Sequence, residues 1–207
     1  MNNYIRACFC IERKIPISQL KIIIDLLGNQ YCSDFSLPIL DFENWVEINF
    51  LYGNNAKKHY GRLLQVVNPY NTNVMVSFDI DDSLFHIDQS INYFPGGDRE
   101  YEEYKNILIL LIKQLDPIIG IIDWEADLLC PANQNNMIEC WGNYLSNRFL
   151  KFWKLNEKAS INNYVDEMIP ISDLGILVFN HPLGLSEKND GHINFWNLIN
   201  KYISSVI

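Results

Sequence analysis

The residues of this 207-residue sequence whose types and spacing best suit chemistry are carboxylates, gathered in two short clusters. The first is Asp79-Ile80-Asp81-Asp82, followed by His86 and Asp88. Alternating carboxylates at a strand end converge on one side, where they suit a hard divalent ion such as Mg²⁺ or Mn²⁺. The second is Asp123-Trp124-Glu125-Ala126-Asp127, after the apolar run Ile118 to Ile122, and its three acids share a side if the backbone stays extended. For the first, the plainer reading is a solvated strand end, where Asp builds turns without a ligand.

The other reactive side chains carry less. His59, His86, His181 and His192 form no HxH, HExxH or HxxxH spacing that would point to zinc. Asn180-His181-Pro182-Leu183-Gly184 has the composition of a turn. The five cysteines, Cys8, Cys10, Cys32, Cys130 and Cys140, are odd in number and lack CxxC spacing, so they read as reduced thiols. Tyr93-Phe94-Pro95-Gly96-Gly97 lacks the glycine pattern of a phosphate-binding loop and reads as the entry to a helix.

These groups matter only if the surrounding elements bring them together. Tyr4 to Ile11 alternates, with Ile5, Ala7, Phe9 and Ile11 on one face and Tyr4, Arg6, Cys8 and Cys10 on the other, which predicts a strand. Pro16 then precedes Leu20, Ile23, Ile24 and Leu27 at helical spacing, with Gly28 as the stop. Trp45 to Tyr52 and Val74 to Asp81 alternate as strands, with a short strand or turn over Arg62 to Val67 between them. Asp98 starts a helix whose core stripe is Tyr101, Tyr104, Leu108, Leu111, Ile112 and Leu115, and Asp116-Pro117 ends it before a buried strand over Ile118 to Trp124. Met137 to Leu155 reads as a helix, Gly175 to Phe179 as a strand and His192 to Ile203 as a final helix.

The order β-α-β-β-α-β predicts an α+β, ferredoxin-like core over residues 1–130, two helices covering one face of a four-stranded antiparallel sheet. Residues 131–207 are expected to be a mostly helical extension with one additional strand, packed on that core within a single domain. In such a sheet the strand bearing Arg6 lies between those bearing Asp79 and Asp123. Arg6, Asp79, Asp81, Asp123, Trp124 and Glu125 are therefore the expected binding set. Repulsion among the four acids would call for Arg6, a metal or a cationic ligand. The plainer alternative pairs Arg6 with one acid as a structural link.

Composition bounds the rest. With 48% apolar and 20% charged residues the chain can build its own core. The 25 acidic against 16 basic residues, a formal charge of −9, oppose binding to nucleic acid or anionic lipid. The N-terminus reads directly into strand-like sequence, and no apolar run approaches the ~20 residues of a membrane span, so a cytoplasmic protein is expected. The leading expectation is a non-enzymatic, acidic protein-binding module that neutralises a basic partner, as an immunity protein does a toxin, with no cofactor. The alternatives are a hydrolase or transferase holding a divalent metal on Asp79, Asp81, Asp123 and Glu125, and a small-molecule-binding protein.

Overall fold

In the computed structural model, residues 4–31, 39–54, 57–67, 74–81, 98–124, 142–152 and 167–179 are described. Their elements are β1 (Tyr4–Ile11), α1 (Ile17–Tyr31), β2 (Ile39–Asp41), β3 (Trp45–Asn54), β4 (Lys57–Val67), β5 (Val74–Asp81), α2 (Asp98–Leu115), β6 (Ile119–Trp124), β7 (Gly142–Ser146), α3 (Asn147–Phe152), β8 (Glu167–Ile171) and β9 (Gly175–Phe179). The nine strands form one antiparallel sheet in the order β2-β3-β4-β5-β1-β6-β7-β9-β8. The protein is thus a mixed α/β fold dominated by that sheet. Among the described residues no helix is long and apolar enough to cross a membrane.

The core follows from the alternation. Ala7, Phe9 and Ile11 of β1 pack with Val46, Ile48 and Phe50 of β3 and Val76 and Phe78 of β5, beneath Leu20, Ile23, Ile24 and Leu27 of α1 and Leu108, Leu111 and Ile112 of α2. Fully burying an aliphatic or aromatic side chain of this kind stabilises by about 1.5–3 kcal/mol, so this layer dominates the fold. The other face carries a smaller cluster in which Cys8 and Cys10 join Met75, Ile119, Leu145, Ile176 and Val178 under Phe149 and Leu150 of α3. β1 is therefore buried on both sides. Its exit is fixed by Gln65, whose amide accepts from the Ile15 N–H at 2.8 Å and donates to the Ile15 carbonyl at 3.0 Å.

Several expectations are corrected. The four-stranded ferredoxin-like core is not what forms, because the stretch expected as a short strand or turn, Arg62 to Val67, belongs to the eleven-residue β4. That strand inserts between β3 and β5, so Trp45 and its neighbours do not lie next to β5. Nor is the described part of the C-terminal third mostly helical. Gly142–Ser146, inside the expected helix over Met137 to Leu155, is a strand buried along its whole length, and α3 starts only at Asn147. A strand covered on both faces needs no alternation, so its aromatic and apolar residues mimic a helical stripe. β7, β9 and β8 extend the sheet past β6, so residues 142–146 and 167–179 join the earlier strands through backbone pairing. Finally, α1 runs through Gly28 to Tyr31.

Candidate functional site

β1 is the central strand of the nine, paired on one side with β5 and on the other with β6. This register sets Arg6 opposite Asp79 and also opposite Asp123. β4 adds Arg62 opposite Asp79 from the far side. Arg62, Asp79 and Arg6 thus share one row on the face away from α1 and α2, and the Asp123 backbone stands next in register.

At its centre the Asp79 carboxylate is 1% exposed. Arg6 donates to it from Nε to Oδ1 at 2.7 Å and from Nη2 to Oδ2 at 3.0 Å. Arg62 donates to Oδ2 from Nε at 3.1 Å and from Nη2 at 2.5 Å. The two guanidinium side chains keep 21% and 30% exposure, so their stems bury the carboxylate while their heads stay near solvent. A buried carboxylate demands this compensation, and two forked donors supply it.

The other members of the expected set fall as follows. Asp81 lies two positions along β5 from Asp79, in register with Tyr4, and Trp124 is in register with Ile5. Glu125 lies outside the described residues, as do Asp82, His86, Asp88, Asp127, His181 and His192. The sheet brings together Arg6 and Asp79, by ion pair, and sets the Asp123 backbone across from Arg6. Among the described residues no group of three or more His, Cys, Asp or Glu side chains is placed to hold a metal ion. Asp79 is an anion clamped by two cations, an electrostatic setting that repels a divalent ion.

A second place on the same face was not singled out by the motifs. Among the described residues β2 is one of the two terminal strands of the sheet, and the turn from β2 to β3 closes when the Phe42 N–H donates to the Trp45 carbonyl at 2.8 Å. Phe42 stacks on Trp45 with ring centroids 4.5 Å apart and planes 18° off parallel. Of the three large apolar side chains exposed among the described residues, two stand here, Phe42 at 50% and Leu40 at 39%. Leu40 pairs with Glu47 across the hairpin, so Leu40, Trp45 and Glu47 share a face. Asp41 and Glu43 flank Phe42 and are exposed. Among the described residues Lys14 is the cation bonded to this turn, donating to the Glu43 carbonyl at 3.0 Å. The sequence signal was the segment Asp41-Phe42-Glu43-Asn44-Trp45, acids and aromatics alternating through a turn.

Buried titratable groups elsewhere serve packing. Lys105 of α2 pairs with Glu102 at 2.5 Å and with Glu167 of β8 at 2.7 Å. Burial opposes its charge, but the two glutamates hold its pKa above the ordinary lysine value. Burial pushes the Cys10 thiol up to about 11, which keeps it protonated and unreactive at neutral pH. No protein-family model matches the sequence, and no curated protein matches it.

Proposed function

We propose that this protein is a non-enzymatic protein-binding module whose partner is basic, and that the Leu40–Glu47 corner of the sheet is its contact surface. The observation that carries this reading is the exposed Phe42 ring, stacked on Trp45 in a hairpin that also carries the exposed Glu43 and the half-buried Glu47. Aromatic anchors inside a polar rim are the anatomy of protein interfaces, and a half-open ring stacked on a second aromatic has that form. The formal charge of −9 supplies long-range attraction for a basic partner. An immunity protein that covers a basic toxin fits this description in physical type.

The Arg62–Asp79–Arg6 row has a different part in this reading. It ties β4, β5 and β1 together, so the hairpin bearing the corner is carried on a rigid sheet. The test is a pull-down from the source cells with tagged wild-type protein, Phe42→Ala, and the doubly substituted Glu43→Lys, Glu47→Lys, at low and raised salt. A basic protein captured by the wild type, released by salt and lost with either variant is the expected result. Capture that ignores both variants, or that yields no basic protein, rejects the reading.

A further inference from the structure

We infer that the outer face of the Phe42 ring binds a cationic side chain of the partner, a guanidinium in preference to an ammonium. This inference rests on the corner being the contact surface and adds what chemistry it receives. One face of Phe42 is stacked on Trp45, while half of the residue is open to solvent. An aromatic face presents negative charge density, and a cation seated on it gains about 0.5–1 kcal/mol at an exposed site. The stack on Trp45 fixes the ring, so little side-chain freedom is lost when a ligand arrives.

The surrounding charges favour the same occupant. Two carboxylates, on Glu43 and Glu47, lie in the hairpin, and among the described residues a single ammonium, that of Lys14, is bonded to its turn. Glu47 accepts a hydrogen bond from the Asn49 Nδ2 at 3.0 Å, a neutral donor that orients the carboxylate without cancelling its charge. Beside the ring, Leu40 offers apolar surface for the methylene stem of a long cationic side chain. A planar guanidinium can stack on the ring and still reach a carboxylate with its edge, which a compact ammonium does less well.

The test uses labelled hexa-arginine, hexa-lysine and hexa-citrulline peptides as probes, read by fluorescence anisotropy at low salt with the full chain. The wild type is expected to bind hexa-arginine more tightly than hexa-lysine, and hexa-citrulline, which has the shape without the charge, not at all. Phe42→Leu keeps apolar bulk but removes the ring face, and should weaken hexa-arginine binding about two- to fivefold. Equal hexa-arginine affinity for wild type and Phe42→Leu, or equal affinity for the arginine and lysine peptides, overturns the inference. In that event capture of the partner by Phe42→Leu but not by Phe42→Ala leaves the contact surface standing, as a purely apolar anchor.

Discussion

Arg62 and Asp79 stand directly opposite each other in neighbouring strands, and Arg62 reaches a carboxylate oxygen that Arg6 already holds from the other side. Three strands are thereby joined through one side chain. Two cations converging on one anion is costly unless the anion is buried and fully hydrogen-bonded, which Asp79 is. The row therefore acts as a register pin: a one-residue slip of β4 or β1 would turn its arginine to the opposite face and leave Asp79 short of a partner.

Replacing Asp79 tests that pin. Asp79→Asn preserves shape but puts amide hydrogens where guanidinium donors point, and removes the charge that both arginines need. It should destabilise by about 3 kcal/mol, in the range of a buried ion pair losing one member. Arg62→Met should cost clearly less, because Asp79 keeps both bonds from Arg6. Urea unfolding of the two variants decides the matter, and equal losses would show that Asp79 does not hold the two arginines jointly.

Alkaline pH should weaken the fold. Burial lifts the Cys10 pKa from 9.0 to about 11, burial and then Asp116 lift that of Tyr144, and Glu102 and Glu167 lift that of Lys105. In each case the folded protein keeps a proton that the unfolded chain releases earlier. Stability is then complete below about pH 9 and falls as pH rises toward 11. Urea midpoints should drop between pH 8 and pH 10, less steeply in Cys10→Ala; a midpoint that held or rose would contradict the assignment.

What was legible in the sequence tracks how one-sided each element is. β1 and the stripes of α1 and α2 were readable because their apolar residues recur at the period of the element. That reading also placed Arg6 between the strands of Asp79 and Asp123. β7 was not readable, since burial on both faces erases the alternation that separates strand from helix. β4 was half hidden: its beginning, Lys57-Lys58-His59-Tyr60-Gly61, looks like loop, so Arg62 was not recognised as the second partner of Asp79. The segment Asp41-Phe42-Glu43-Asn44-Trp45 carries the residue types of the Phe42 corner, but its exposure depends on where the sheet ends, which residue spacing does not encode.

Gly175 should prove nearly irreplaceable. It opens β9 just after the turn from β8, against the backbone of Ser146 in β7. A Cβ there would lie 2.8 Å from the Ser146 Cα and 3.0 Å from the Tyr144 hydroxyl, and would run into the Leu145 carbonyl oxygen. Backbone atoms in a strand paired on both sides cannot step aside as a flexible side chain would. Gly175→Ala is expected to cost at least about 3 kcal/mol, the upper end of overpacking losses, and to break the Tyr144 hydrogen bond to the Leu174 carbonyl at 3.0 Å. A thermal midpoint within a degree or two of wild type would refute this.

Phe42 should behave in the opposite way, and the contrast separates binding from folding. Half of its surface is already in water, so Phe42→Ala forfeits only the stack on Trp45 and some partial burial, about 1 kcal/mol or less. The hairpin itself persists, because the turn is closed by the backbone bond between Phe42 and Trp45 and by the Val67 N–H donating to the Asn44 carbonyl at 2.8 Å. Phe42→Ala should therefore unfold at nearly the wild-type urea concentration while losing the basic partner. If the variant instead lost several kcal/mol of stability, Phe42 would be a structural residue of the sheet end, and the corner could no longer be read as a surface kept open for another protein.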